Sequence, residues 1–442
     1  MEPFNVGMSR RTLLRGFGGL AGLGALTACG GGTSSGGASG SGDSGHLRVS
    51  VWGGEGEEEA YGARLGVVTE QYSDITTKLE VYPNDAYAQK VQTIISGGSG
   101  LDLMQVAEEV HVYSSKNQLL PLDELLDEAG IDLDALVGRT RADIYRYEGQ
   151  TYAIPDRSGS IILFYNRAHF DAAGVDHPTA DWTWDDLVAA ATELTDPGAG
   201  RWGFGGVTSY HQWWSFVYQN GGRILDEEGR PTVNSDAAVE ALQFCGDLAL
   251  RLGIAPTAEQ LANFAGGEAS GTTLFAAGNA SMNLSGFWNV PGLLEGGEID
   301  FDVAPIWRGP TGIQAVAPYG SAFAIPRNSK NQRAAFSALQ VLSSPAGQEY
   351  YAVTGGDVPA NLEVQNGETF LQPAWADRPV NIGAFAESSE FIIDMPYIPE
   401  WNQMQDAMTN GLADFWLGRI DAREALDNIQ GQLESIITPA NG

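Results

Sequence analysis

Cysteine is nearly absent from this chain: 442 residues contain two, Cys29 and Cys245. If Cys29 is modified, no intramolecular disulfide can form, and the fold must be stabilised by the size of its core. Cys245 falls in a helical pattern with Val239, Leu242, Leu248 and Leu252, so it reads as a small buried apolar residue and not as a nucleophile. Histidine is also scarce. The five residues His46, His111, His169, His177 and His211 show no ligand spacing, and no metal or cofactor site can be assembled from sequence neighbours. Basic residues number 24 against 56 acidic ones, a formal net charge of −32. Such a surface repels nucleic acid and anionic lipid, which excludes nucleic acid as a partner, and it disfavours an anionic ligand unless a cationic pocket exists. Long hydrophobic runs are missing too. The one apolar stretch, residues 13–28, is broken by Gly16, Gly18, Gly19, Gly22 and Gly24 and is shorter than the ~20 residues a membrane span needs.

What that stretch does have is a basic start and a small-residue end. Arg10-Arg11 precede it, and Leu26-Thr27-Ala28-Cys29 close it, the pattern of an export signal over residues 1–28. The segment Ser9-Arg10-Arg11-Thr12-Leu13-Leu14-Arg15 resembles a twin-arginine export signal, departing from it at Leu13 and Arg15. A cysteine at the first mature position can carry diacylglycerol. Each acyl CH₂ buried in a bilayer contributes ~0.8 kcal/mol, so Cys29 reads as a lipid anchor on the extracytoplasmic face of the cell membrane. Removal of Glu2, Arg10, Arg11 and Arg15 leaves the mature chain near −34. Residues 29–45 are glycine and serine rich, a composition that buries no core and forms a flexible tether. The G-x-S-x-G match at 32–36 and the G-x-G-x-x-G match at 40–45 lie inside it. Both need a strand before and a helix after, so both are accidents of composition.

About 400 residues remain, enough for two domains or lobes. Residues 47–52 alternate apolar and polar and read as a strand; Tyr61, Leu65, Val68 and Tyr72 follow at helical spacing. A strand at 79–82, a helix capped by Asn84 or Asp85 and carrying Tyr87, Val91, Ile94 and Ile95, and a strand at 103–106 complete a parallel α/β pattern. Further on, strands are predicted at 151–155 and 161–165 around a polar turn at 156–160, and at 281–285, 301–305 and 322–326. Helices are predicted after the Thr183–Asp186 capping box, after Ser235, from 331 to 342 and from 345 to 353. A terminal helical region at 399–437 has Trp401, Met404, Met408, Leu412 and Phe415 on one face.

Four blocks carry a resemblance. They are residues 147–156 with 162–174 (Tyr-Glu-Gly-Gln-Thr-Tyr-Ala-Ile-Pro-Asp, then Ile-Leu-Phe-Tyr-Asn-Arg), Trp184-Asp-Asp-Leu with Glu193-Leu-Thr-Asp196, residues 275–282 with Gly286-Phe-Trp288, and residues 320–326 with Ala334-Ala335. In order, they resemble the extracellular solute-binding proteins of ABC-type carbohydrate importers, the maltose-binding-like group, over residues 46–442. The resemblance implies a two-lobed α/β fold with a hinge that the chain crosses three times, near 155–160, 317–321 and 356–359. One lobe then holds 46–156 and 322–356, the other 160–318 and 360–442. Gly, Pro or Ser at each crossing can absorb a backbone change. The resemblance further implies a monomeric binder without enzymatic activity. It captures a sugar or oligosaccharide and passes it to the permease subunits of an ABC transporter.

A sugar site needs aromatic plates and a few convergent polar groups, and carboxylates bond vicinal hydroxyls strongly. Glu55 follows the first strand and Glu108 and Glu109 the third, at strand ends that face the ligand crevice in parallel sheets. The resemblance assigns ring stacking to Trp288. Trp213 and Trp214 are adjacent on a helix and cannot share a face, so one is expected in the core and one at the cleft. Tyr319, Asp357 and Asp156 sit at the crossings, and Trp401 opens the terminal helix. Two other readings stay open. A secreted glycoside hydrolase needs two carboxylates ~5–10 Å apart, and no local motif nominates them. A binder of a peptide, polyamine or glycerol-phosphate is the other; for a phosphate, Arg157 and Arg308 are the candidates.

Overall fold

The computed structural model describes residues 44–98, 100–207, 209–264, 270–393 and 397–437. The export signal, Cys29 and nearly all of the tether lie outside these residues. The first strand, β1 (Gly45–Trp52), takes up the last tether position. It pairs in parallel with β2 (Ile75–Tyr82) and with β3 (Leu103–Val106). The helices α1 (Glu55–Gln71) and α2 (Asn84–Ser96) make the crossovers. This is the strand–helix alternation read from residues 47–106, with β2 longer than expected. Asn84 is the first helical residue and not a cap: Pro83 holds the N-cap position with no side-chain bond.

Beyond a two-residue hairpin, β4 (Arg146–Tyr147) and β5 (Gln150–Thr151), the chain forms β6 (Ala153–Ser160) and β7 (Ile162–Asn166). The expected turn at 156–160 does not exist. Strand β6 runs straight through it, paired antiparallel with β10 (Pro318–Ala324), itself extended through the second expected crossing. Small residues permit this. A Cβ on Gly320 would lie 2.4 Å from the Arg157 carbonyl oxygen, so glycine lets the two backbones approach. The third segment joins the same ribbon, with Ser158 N donating to Val358 O at 2.9 Å. The first sheet therefore has the order β2-β1-β3-β10-β6, and a second, antiparallel sheet has the order β8 (Met282–Ser285), β7, β9 (Phe301–Ala304).

Both sheets carry buried side chains on both faces, with the edge strand β2 the more exposed part of the first. Leu47, Val49, Leu103, Ile154 and Phe323 pack on one side of the first sheet, and Met104, Val106, Ala153, Ala322 and Ala324 on the other. In the second, Leu163, Tyr165, Met282 and Leu284 face one core, and Ile162, Phe164, Phe301 and Val303 face another. Each buried Val, Leu, Ile, Met or Phe among them contributes ~1.5–3 kcal/mol. The helix Pro345–Thr354 serves both sheets: it packs against α1, yet its Ala352 joins the core of the second sheet. The Thr183 capping box and the Ser235 cap form as read, and Cys245 is buried with its thiol pushed up by desolvation. Among the described residues no helix is long and apolar enough to cross a membrane, and no cluster of His, Cys, Asp and Glu is arranged for a metal.

Candidate ligand-binding cleft

The parallel strands end on one side of the first sheet, at Trp52, Tyr82 and Val106. Ligands of open α/β sheets bind outside such ends. The segments leaving them bring Trp52, Glu57, Asn84, Ala107 and Glu108 to a common cavity. Trp288, Tyr319, Gly320, Asp357, Arg157 and Gly159 complete its lining. A second cavity shares Trp52, Asn84, Ala107 and Glu108 and extends past Tyr87 and Glu109 to Trp401, Asn402 and Gln405. Their volumes, about 430 and 510 Å³, are in the range that holds small solutes.

Local sequence explains how each group is aimed. Gly53 has φ 137°, and a Cβ there would lie 2.3 Å from Glu57 Cγ; glycine makes the room for Glu57 to fold back. Glu57 Oε2 then accepts from Gly54 N at 2.9 Å. Gln105, buried on β3, accepts from Trp52 N at 3.1 Å and donates to Tyr61 Oη at 2.7 Å and Ser321 Oγ at 2.9 Å. Ser321 Oγ also accepts from Arg157 Nε at 3.0 Å, and Arg157 Nη1 lies 3.3 Å from Asp357 Oδ2. The Arg157 guanidinium sits 5.7 Å from the Trp52 ring centre. Trp288 follows β8 in a short 3-10 turn where a Cβ on Gly286 would strike its indole. The ring is 46% exposed and 5.2 Å from Tyr319. Aromatic rings continue behind it: His211 lies 5.5 Å from Tyr319 and 6.2 Å from Trp401.

Desolvation, with Glu109 adjacent, pushes the Glu108 carboxyl up to about 7. Glu109 and Asp357 are also raised by burial; the Arg157 cation opposes that rise at Asp357. Burial pushes His211 down to about 4, so it is neutral. The 4.0 Å approach of its Nε2 to Glu108 Oε1 is therefore not an ion pair.

The residues nominated from sequence thus separate. Glu108, Glu109, Trp288, Tyr319, Asp357 and Trp401 line the cavities. Glu55 does not: as the first residue of α1 it is exposed, and Glu57, read as helix surface, lies at the cleft instead. Trp213 and Trp214 are both fully buried, because the helix Tyr210–Gln219 is covered on nearly all sides. Neither ring lines a cavity, although Trp214 touches Trp401 at 5.8 Å between ring centres. Asp156 is 2% exposed and its carboxylate is fully engaged: it accepts from Arg64 Nη2 at 2.5 Å and from Tyr61 and Tyr351 at 2.9 Å each. It holds the strand ribbon to α1 and does not face the cleft. Arg308 lies outside both cavities, 3.9 Å from Asp181. Sequence reasoning missed Trp52, Glu57 and Asn84 and named Arg157 only for a phosphate. The strand-end argument applied to Glu55 and Glu108 reaches Trp52 and Asn84 as well, since they sit at the ends of β1 and β2.

A family profile described as bacterial extracellular solute-binding protein matches residues 55–349. A protein of Brucella abortus named as a binding protein is 24% identical over 415 residues, 89% of this chain and 94% of its own. The arabinooligosaccharide-binding protein of Halalkalibacterium halodurans is 29% identical over 184 residues, 40% of each chain. Among solved structures, an ABC substrate-binding protein of Listeria monocytogenes in complex with cycloalternan superposes with a TM-score of 0.78 at 24% identity, over 89% of this chain and 99% of its own.

Proposed function

The chain belongs to the bacterial extracellular solute-binding protein family, and on that premise we propose that its solute is a sugar or oligosaccharide delivered to an ABC permease. The fold is that of two-lobed periplasmic binding proteins. The observation that carries the carbohydrate reading is the pairing of aromatic plates and polar groups in one cleft. Trp52, Trp288 and Tyr319 offer faces to sugar C–H groups, with the buried Trp401 packed behind them, and Glu57, Glu108, Glu109 and Asp357 offer acceptors to hydroxyls. The names of the Halalkalibacterium and Listeria relatives agree with it.

Ligand touching both cleft walls stabilises a closed arrangement and shifts the population toward it. The lobes divide near 155–160, 317–321 and 356–359, where the three segments run side by side, and Cys29 holds the monomeric protein to the membrane. A phosphate-bearing solute is disfavoured because Arg157 is already matched by Asp357. A thermal-shift screen across mono- and oligosaccharides tests the reading. A cognate sugar at a hundredfold excess over its Kd adds about 2.7 kcal/mol of stability and is recovered unchanged on chromatography. A shortened or rearranged sugar would instead point to hydrolysis, and no shift with any sugar would sink the proposal.

A further inference from the structure

The two cavities adjoin, since Trp52, Asn84, Ala107 and Glu108 line both. Each has by itself the volume of a small-solute pocket, about 430 and 510 Å³, so the joined space exceeds what a single sugar ring needs. Its two ends differ. At one end Gly159, Gly320 and Asp357 come from the three segments of the ribbon. Tyr319 pairs with Gly159 and Gly320 with Ser158, and Ser158 N donates to Val358 O. Hydrogen-bonded strands lie only about 4.8 Å apart, too close for a sugar ring to pass between them. Gly159 and Gly320 have no side chain, so the cavity reaches the ribbon backbone and stops there. At the other end the lining includes Gln89 on α2, Lys116, and Asn402 on the helix Trp401–Gly411, all exposed. That end opens to solvent.

The chemistry changes along the same line. The ribbon end has the aromatic rings of Trp288 and Tyr319 and the Arg157–Asp357 pair. The outer end has side-chain amides instead: Gln89 and Gln92 from α2, and Asn402 and Gln405 from the terminal helical region. An amide carries both N–H donors and a carbonyl acceptor. Sugar hydroxyls donate and accept in the same way, so such a lining matches further hydroxyl-bearing rings without adding charge.

Resting on the carbohydrate reading, we infer that the solute is a linear oligosaccharide bound end-on, its terminal ring against the ribbon beside Trp288 and Tyr319 and at least one further ring among the amides. Units beyond those protrude into solvent. Asn402 and Gln405 are then the residues that read chain length.

Calorimetric titration of the whole protein with malto-, cello-, xylo- and arabino-oligosaccharides, each series running from monosaccharide to hexasaccharide, tests this. In a series that binds, the trisaccharide is expected to bind at least about tenfold tighter than the monosaccharide, with less than about threefold change on further elongation. Where maltohexaose binds, its ring-closed counterpart α-cyclodextrin, which has no chain end, is expected to bind at least about tenfold more weakly. The double variant Asn402→Ala with Gln405→Ala is expected to narrow the trisaccharide-to-monosaccharide ratio by about tenfold. Gln89→Ala, a second variant at an exposed position, narrows it less. Trp288→Ala lowers both affinities together and leaves the ratio. A monosaccharide that binds as tightly as its trisaccharide, a ratio that survives the double variant, or a ring that matches the linear chain overturns the inference and leaves the carbohydrate reading intact. Failure of every sugar in these series and in the wider screen overturns both.

Discussion

Trp288 and Glu108 show what single residues contribute. Trp288 is 46% exposed and rests on Tyr319 at the cleft wall, so Trp288→Ala removes a stacking face without opening the core. Its expected effect is a loss of about tenfold or more in sugar affinity by calorimetry, with stability changed by no more than about 0.5 kcal/mol. Glu108 is an acid whose folded pKa, about 7, lies above its ordinary value of 4.5. The folded form therefore binds more protons between those values, and Glu108 costs stability as pH rises through that window. Glu108→Gln is expected to raise the melting temperature more at pH 8 than at pH 4. His211, held down to about 4, works on the other limb: its unfolded form takes up protons first as pH falls below 6.5, so it lowers stability toward acid pH. At this scale the sequence was readable where a residue's neighbours are its own strand or helix. Glu55 and Glu57 differ by two positions on one helix, and only the turn at Gly53 decides which of them folds back to the cleft.

Among the elements, β6 and β10 matter most. Residues 156–160 read Asp-Arg-Ser-Gly-Ser, a composition of turns, yet they form strand because β10 and the 358–359 segment offer backbone partners on both sides. Local propensity lost to long-range pairing. The ribbon is tied to α1 and to the helix Pro345–Thr354 by Arg64. Its guanidinium bonds Asp156, the Tyr351 hydroxyl and the carbonyls of Leu342 and Gly347. Arg64 is 1% exposed. Removing one partner strands a buried charge, so Arg64→Leu is expected to cost about 3–5 kcal/mol in chemical denaturation. A helical pattern of Tyr61, Leu65 and Val68 announced α1 correctly, but gave no sign that Arg64 on the same helix would be interior.

On the scale of the whole molecule, two sheets with separate cores meet at a ribbon of three antiparallel chain segments, and the cleft opens beside it. Two bodies joined by a few extended segments can hinge. Small-angle scattering with and without a cognate sugar is expected to show a smaller radius of gyration in the bound form; an identical curve would argue against closure. The charge of −32 has its effect here as well. It keeps the surface soluble and anion-repelling.

Sequence by itself determined the alternation of β1, α1, β2, α2 and β3, the caps at Thr183 and Ser235, the apolar face of the terminal helices, and the end of the sheet at which the cavities open. Periodicity and capping are local, and a short window records them. Only the tertiary structure decided that Asp156 serves the ribbon, that Trp213 and Trp214 are both core, and that Glu108 lies beside His211. Each of those facts depends on segments 50 or more residues apart meeting in space, and such meetings leave no mark on the residues at either end.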